Sequence, residues 1–524
     1  MPERSLNLQF PAAGVARRLG HEIPPRQGPY PSPWSVNVRL QDSFNRRLRG
    51  GSRDGLTKLL ATDLGSDVDD MVSLQVSSAN GASEYLVLLV DSTVKIVSGA
   101  PLAVTTPVAY LTNESTNNLT DESNNQLVIS TQDAPSSGFL VVANQKVYIV
   151  TSASIFEVDP KTGKIDHLAA TAGTIPTGSS FGAVYRDRLV LPGSDNAIYV
   201  SRQGDFTDWD YGAHHEDLGR PLAFQLSAAS RVGDIPKAVI NIRDANLILG
   251  TEDSLWRVSG DPVTGQLVQL SDSIGIVGPN CWCKSDNQIF GLSKDGIFSC
   301  ALDGSNLRVV SDERIPDDLR DVNTASVDVH LGYDHDKQAI HIYLVTSGGN
   351  DTHWLFEFAS GAFWPMRLNN NHAPQSVATF DNDLILAGVD GYLRKIGGND
   401  DDGQNVASHL LVGPLKIGGG VNQLGLLTSL HGMLATGSSS VTFRIVTGNT
   451  AEEASENGKT AIQTHLAGGD YSSYVHASGT LAAGRSLTKR PRVRSMWVCI
   501  WLQSTGRWAF EGLSIGTMPF GRWK

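Results

Sequence analysis

A strand–turn–strand phrase recurs seven times between residues 84 and 398, and it constrains the fold more than any other feature of the sequence. Each copy joins two apolar strands through a polar turn, as in EYLVLLV followed by DSTVKIVSG and in ANLILG followed by TEDSLWRVSG. The apolar residues that align in the second strand are Val94, Val147, Ile198, Leu255, Ile297, Trp354 and Leu393. Their mean spacing of about 50 residues is typical of four-stranded propeller blades. The repeat therefore predicts an all-β chain built on a six- or seven-bladed β-propeller.

The two ends of the chain differ from this repeat. The first 55 residues contain seven of the 23 prolines and little strand pattern, so we expect an extended arm that becomes ordered against a neighbouring subunit or another protein. Beyond the loop Gly397–Gly403 lie strand-like runs such as MWVCIWL and a short helix capped by Thr450. The predicted parts are an extended N-terminal arm (1–55), a β-propeller (56–398) and a C-terminal β-sandwich domain (399–524).

Composition narrows the classes of partner. The net charge of −12 argues against nucleic acid or an anionic membrane as the main binding partner, because both attract positive surfaces. No run approaches the roughly 18 apolar residues of a membrane helix, so we expect no membrane anchor. The four cysteines are too few and too scattered for a disulfide framework, and we interpret them as small buried apolar residues.

Motifs for catalysis or metal binding are weak. Two G-x-S-x-G matches, at Gly178–Gly182 and Gly512–Gly516, lack the following helix that a nucleophile elbow requires. The acidic clusters Asp67–Asp70 and Asp400–Asp402 do not have the spacing of a calcium-binding loop. We interpret both clusters as solvated turns, with weak calcium binding as the alternative. We therefore expect no catalytic residues, no cofactor, no metal and no enzymatic activity.

Two basic clusters, at residues 39–53 and 485–494, stand out against the acidic background. These clusters either form ion pairs within the chain or dock onto an acidic partner protein, and contact with phosphate groups is the third interpretation. The strand from Met496 is apolar on both faces, so its tryptophan face is expected at a junction with the propeller or another subunit. The alternative is a strand buried wholly within its own domain. The candidate assembly residues are Arg46, Arg47, Arg49, Arg53, Arg490, Arg492, Arg494, Trp497 and Trp501.

Several segments resemble one viral family. The opening PAAGV, YPSPWSVNVRL and RLRGGSRDGL, the central YRDRLVL and YVSRQGDFTDWDYG, and the late VTGNTAEEA and GRWAFEGLSIG are similar to tail nozzle and DNA-stabilisation proteins of short-tailed bacteriophages. The likeness spans nearly the whole chain and its motifs carry no catalytic chemistry. In that family a Pro/Gly/Arg-rich arm leads directly into a propeller.

The resemblance implies a structural role in a virion tail. The expected assembly is a homo-oligomeric ring, usually of six copies, made in the host cytoplasm and placed below the portal and adaptor, with tail fibre or spike proteins as further partners. The ring would continue the DNA channel and help retain or release the genome. Double-stranded DNA would pass without sequence readout, since an acidic lumen repels it. The alternative from another class is a propeller enzyme or carbohydrate-binding protein, glycosidase-like or lyase-like.

Overall fold

The computed structural model describes residues 4–16, 30–78, 81–106, 108–110, 128–131, 134–194, 196–212, 216–226, 235–347, 351–419, 423–486 and 488–522. Within these ranges the chain is mostly β-strand, with a single α-helix, α1 (Ala451–Leu466). The fold class is therefore all-β, as the repeat predicts.

Five short strands lie within the first 58 residues. They are β1 (Arg4–Leu8), β2 (Ser35–Val36), β3 (Val38–Gln41), β4 (Leu48–Ser52) and β5 (Leu56–Lys58). Strands β3 and β4 pair with each other as an antiparallel hairpin.

Seven four-stranded antiparallel sheets, counted within the described ranges, form the blades of a propeller. Blade 1 contains β6 (Asp70–Ser78), β7 (Gly81–Val90), β8 (Thr93–Ser98) and β9 (Ala103–Thr105); the hairpin of β10 (Val108–Tyr110) and β11 (Val128–Thr131) follows it. Blade 2 contains β12 (Phe139–Ala143), β13 (Lys146–Val150), β14 (Ile155–Asp159) and β15 (Lys164–His167). Blade 3 contains β17 (Ala183–Tyr185), β18 (Arg188–Pro192), β19 (Ala197–Val200) and β21 (Leu222–Gln225), beside a parallel pair of β16 (Ala172–Gly173) and β20 (Asp208–Trp209).

The remaining blades continue the series. Blade 4 contains β22 (Pro236–Ile242), β23 (Asn246–Thr251), β24 (Leu255–Ser259) and β25 (Gln266–Ser271); blade 5 contains β26 (Trp282–Lys284), β27 (Gln288–Ser293), β28 (Gly296–Ala301) and β29 (Arg308–Val309). Blade 6 contains β30 (Val327–Asp334), β31 (Ala339–Thr346), β32 (His353–Glu357) and β33 (Ala362–Met366). Blade 7 contains β34 (Pro374–Phe380), β35 (Asp383–Gly388) and β36 (Leu393–Ile396), and β5 completes it as the outermost strand. The strand that opens the propeller sequence therefore closes its ring.

Both faces of each blade are buried against neighbouring blades, which explains the continuous apolar runs. In β7, Leu86 and Leu88 belong to a buried cluster with Ile385 of blade 7. Between them, Val87 lies in a second cluster with Val147 of blade 2. Since successive side chains of a strand point to opposite faces, a strand between two blades must be apolar at every position. The run LVLLV satisfies that requirement.

The sandwich is formed by two five-stranded sheets. Its own strands are β37 (Ser408–Lys416), β38 (Gln423–Leu434), β39 (Val441–Gly448), β40 (Val475–Leu481), β41 (Gly484–Arg485), β42 (Val493–Ser495), β43 (Trp497–Ser504) and β44 (Phe510–Arg522). Sheet I has the order β2-β37-β43-β39-β40, and α1 covers its outer face. Sheet II has the order β1-β44-β38, with β41 and β42 both on the far edge of β38. The helix begins after Thr450, whose hydroxyl accepts a hydrogen bond from Glu453 N–H, as expected for its cap.

The first strand of the arm is ordered against the chain's own sandwich. Strand β1 pairs with β44 over its whole length. Leu8 and Phe10 are buried, and the Phe10 ring lies 5.9 Å from that of Phe510 and 5.6 Å from that of Trp364. The expectation of an arm that needs another molecule is wrong for this segment. Its alternation of apolar and polar residues in SLNLQF predicts a strand, and the surface that it needs is intramolecular.

The hairpin alignment is correct in six blades and shifted in one. Val94, Ile198, Leu255, Ile297, Trp354 and Leu393 all lie in the third strand of a blade, whereas Val147 lies in β13, the second strand of blade 2. Blade 2 contains two similar hairpins, and its first hairpin resembles the repeated phrase more closely. The slip does not change the number of blades.

Candidate assembly surface

The basic cluster of the arm is largely neutralised inside the molecule. The buried guanidinium of Arg53 donates to Asp401 Oδ1 at 2.8 Å and to Asn37 Oδ1 at 2.9 Å. Arg49 bonds to the buried carboxylate of Asp42 at 2.7 Å. A desolvated arginine requires such a partner, so Arg53 and Arg49 are corrected from docking residues to internal ion pairs.

Arg39 is also buried and pairs with Asp54 at 2.7 Å, whereas Arg46 and Arg47 remain on the surface. Arg46 forms an exposed ion pair with Asp336 at 2.7 Å, and Arg47 is exposed. An exposed pair of this kind contributes about 0–1 kcal/mol to stability. Arg46 and Arg47 are therefore accessible to a partner, although they neighbour the internally paired Arg49 and Arg53.

The acidic loops are less solvated than their sequence suggests. Besides the Asp401 pair, Asp402 accepts from Arg394 at 2.9 Å, and that arginine is buried. Asp70 is the first residue of β6 and its desolvated carboxylate accepts three hydrogen bonds. The interpretation of both clusters as solvated turns is therefore wrong for Asp70, Asp401 and Asp402. No group of three or more histidine, cysteine or acidic residues in metal-binding proximity is found among the described residues.

The tryptophan face of β43 is buried within its own domain. Trp501 is fully buried and Trp497 is 8% exposed, and both contact the cluster that α1 forms on the outer face of sheet I. Trp501 Nε1 donates to His409 Nδ1 at 3.2 Å, and burial lowers the pKa of His409 to about 3, which keeps the imidazole neutral as an acceptor. The Arg444 guanidinium lies 4.3 Å from the Trp501 ring centroid.

This arrangement corrects the expected junction. The opposite face of β43, with Val498 and Ile500, belongs to the core between the two sheets. The strand thus lies between sheet II and α1, which is the alternative that its sequence left open. The signal that could have revealed it is the pair Ala454 and Ala461 in α1, whose small side chains let the helix approach the tryptophans.

The second basic cluster remains available on the surface. Arg485, Arg490, Arg492 and Arg494 are all exposed, and in the described part of the chain no carboxylate lies within ion-pair distance of them. We call these four residues the basic edge. They lie in the segment that pairs along the far side of β38, where Lys489 exchanges backbone hydrogen bonds of 2.9 and 3.0 Å with Leu430. Charged residues of this kind protect a sheet edge from unwanted strand pairing.

Apolar side chains adjoin the basic edge on the outer face of sheet II. Cross-strand partners share a face, and the register places Arg494, Leu426 and Met518 in one row. The Arg494 guanidinium lies 4.0 Å from the ring centroid of Phe520, which is 36% exposed. Met433 is 45% exposed on the same face. Arginine, methionine and aromatic residues are enriched in protein interfaces.

Comparisons with known proteins concern the fold. No protein-family model and no curated protein matches the chain. The WD40 β-propeller domain of Doa1 is 12% identical, with a TM-score of 0.39 over 65% of this chain and 96% of that domain. Virginiamycin B lyase from Staphylococcus aureus is 12% identical, with a TM-score of 0.38 over 65% and 97% of the two chains. The designed protein Ika8 is 15% identical, with a TM-score of 0.38 over 64% and 97%. Likenesses at this level carry no argument about function.

The nucleophile-like motifs do not form elbows. Gly178–Gly182 leads into β17, and Ser514 lies within β44, where its hydroxyl is 3.1 Å from that of Ser5. The cysteines are free and buried, as interpreted from the sequence, and burial raises the pKa of Cys281 to about 12. Among the described residues, no helix is long and apolar enough to span a bilayer.

Proposed function

We propose that the chain is a structural, ring-forming subunit of a short-tailed bacteriophage tail nozzle, and that the basic edge and the outer face of sheet II contact an acidic neighbouring subunit or tail protein. The resemblance of the arm, the central segments and the C-terminal motifs supports the nozzle assignment. The observation that carries the contact surface is the difference between the two basic clusters. Arg49 and Arg53 of the first cluster are held in internal ion pairs, whereas the four arginines of the basic edge have no acidic partner in the described part of the chain.

The chemistry of this surface suits a specific contact. Arginine side chains adjoin two exposed apolar residues of this face: Arg485 is the cross-strand partner of Met433, and Arg494 lies over the ring of Phe520. Rim charges raise the rate of encounter and fix the orientation of the partner. An overall acidic subunit also presents complementary charge to the basic edge of the next copy.

The packing of the propeller against the sandwich suits a subunit that keeps its shape within a ring. One buried cluster contains Tyr343 and Trp364 of blade 6 together with Val412 and Leu427 of the sandwich. A continuous core between two domains opposes hinge motion, unlike the more polar interdomain contacts that permit it.

A charge-reversal experiment tests the proposal. The triple variant Arg490→Glu/Arg492→Glu/Arg494→Glu should lose the ring in mass photometry and negative-stain images, because the docking charges are inverted. The matched control Lys161→Glu/Lys284→Glu/Arg308→Glu has the same charge change at exposed positions of blades 2 and 5 and should assemble as the native protein does. A native chain that stays monomeric and shows a glycan-dependent thermal shift would contradict the proposal and favour the carbohydrate-binding alternative.

A further inference from the structure

A small cavity lies on the axis of the propeller, at the end where the inner strands begin. Its volume is about 120 Å³, and blades 1, 2, 5, 6 and 7 contribute to its wall. Several wall residues are only partly buried, so solvent reaches it. Its wall includes the side chains of Asp70, Asn280, Trp282, His330 and Ser376.

The carboxylate of Asp70 accepts three hydrogen bonds from neutral donors and lines the cavity. Its Oδ2 accepts from Leu140 N–H at 2.7 Å, and its Oδ1 accepts from Met71 N–H at 2.9 Å and from the Ser376 hydroxyl at 3.3 Å. These bonds join blade 1 to blades 2 and 7. Among the residues that the structure describes, no lysine or arginine lines the cavity and none forms an ion pair with Asp70. A desolvated carboxylate without a cation is costly.

The other polar groups of the cavity are hydrogen-bond acceptors or neutral. Burial lowers the pKa of His330 to about 4, so its ring is neutral at physiological pH and one nitrogen can accept. Asn280 adds an amide oxygen, and the half-buried indole of Trp282 adds an aromatic surface of the kind that attracts cations. The cavity therefore presents one negative charge, neutral acceptors and an aromatic ring.

We propose that this axial cavity is a binding site for a primary ammonium group, either a free small amine or the end of a longer aliphatic amine. An ammonium ion donates three hydrogen bonds, which matches acceptors on Asp70, Asn280 and His330 with Trp282 beside them. The volume fits a ligand of few heavy atoms, since a cavity of about 150 Å³ holds benzene. A calcium or magnesium ion is disfavoured because it requires six or more oxygen ligands, whereas the side chains of the described wall offer one carboxylate, one amide oxygen and one hydroxyl group. The site is independent of the proposed ring assembly.

Binding should depend on the protonation of Asp70. Burial raises the pKa of its carboxyl group to about 7 in the empty cavity, so protons compete with the ammonium ion below neutral pH. Two other titratable groups adjoin it: His330 from blade 6, which stays neutral above pH 5, and Asp69 next to it, whose pKa burial also raises. Because alkylamines stay protonated throughout, the dissociation constant should rise about tenfold from pH 8 to pH 6.

Isothermal titration calorimetry on the full chain tests the site, with methylammonium and putrescine chlorides as probes at constant ionic strength. Both should bind at pH 8, and tetramethylammonium, which has no N–H donors, should not. Putrescine binding tighter than methylammonium would indicate a longer amine as the ligand, and equal binding a small free amine. Asp70→Asn should abolish binding, whereas Asp67→Asn, which removes an exposed carboxylate of the same segment, should leave it unchanged.

Two further measurements keep the test decisive. If Asp70→Asn fails to fold, Trp282→Leu retains the carboxylate and should weaken methylammonium binding several-fold. Equal binding of tetramethylammonium, unchanged binding in Trp282→Leu, absence of heat at pH 8, or calcium binding that displaces the amine would each overturn the proposal.

Discussion

Arginine residues of similar sequence context have different energetic roles in this molecule. Arg53 is buried and shares two hydrogen bonds with Asp401, whereas Arg46 pairs with Asp336 in solvent. Arg53→Met should destabilise the fold by about 3–5 kcal/mol, because Asp401 is left as an uncompensated buried charge. Arg46→Met should cost less than about 1 kcal/mol. Urea unfolding of both variants measures the difference, and equal losses would show that burial does not decide the role.

Buried histidines should make the sandwich sensitive to acid. The pKa of His409 is lowered to about 3 in the folded state, so the unfolded chain takes up a proton first as the pH falls below about 6.5. This residue should therefore reduce the free energy of unfolding by about 1.4 kcal/mol per pH unit between pH 6 and pH 4.

The variant His409→Asn isolates that contribution, because an amide oxygen can replace Nδ1 as the acceptor for Trp501. Its free energy of unfolding should fall less steeply with acid than that of the native chain. His431→Asn, the same substitution at a less buried position of sheet II, is the matched control. A parallel loss in His409→Asn and the native chain would contradict the assignment.

At the scale of single elements, substitutions of Trp501 and Met433 should have opposite effects on stability and on assembly. Trp501→Ser removes a fully buried ring between β43 and α1 and should cost about 3–5 kcal/mol, by analogy with Trp→Ala in cores. The protein that remains folded should assemble normally. Met433→Ser changes an exposed side chain, so stability should change by less than about 0.5 kcal/mol, while ring formation should weaken. Thermal melts combined with mass photometry distinguish the two, and a loss of assembly at unchanged stability in Trp501→Ser would restore the junction hypothesis.

The same elements show which features of the fold and of the candidate sites can be predicted from the sequence. Blade strands such as β7 are recognisable because two-sided burial enforces a continuous apolar run, and the polar turns between strands separate the copies. The hairpin pattern places Val147 in the wrong strand, because neighbouring hairpins obey the same pattern. Arg53 and Arg490 are indistinguishable in sequence, since what separates them is Asp401 brought from 348 residues away. The sequence also does not predict the axial position of Asp70, because that position depends on the packing of five blades around one cavity.

At the scale of the whole molecule, the N-terminal arm connects the propeller and the sandwich, because its strands pair with sheets of both. Strand β5 closes blade 7, so unfolding of the propeller ring must release the segment that precedes it. Strand β1 completes the edge of sheet II, and the hairpin of β3 and β4 lies between these two attachments in sequence. Arm, propeller and sandwich are therefore expected to unfold as one cooperative unit.

Deleting residues 1–8 tests this coupling. The deletion removes the pairing partner of β44 and the buried side chain of Leu8, so the melting temperature of the monomer should fall. The newly exposed edge of β44 should also promote aggregation, because unpaired strands recruit other strands. Asn7→Ala, which keeps the backbone pairing at an exposed position, should melt as the native protein does. If the arm is instead ordered by a neighbouring subunit, the deletion will leave the monomer's melting temperature unchanged and only shift the distribution of oligomers in mass photometry.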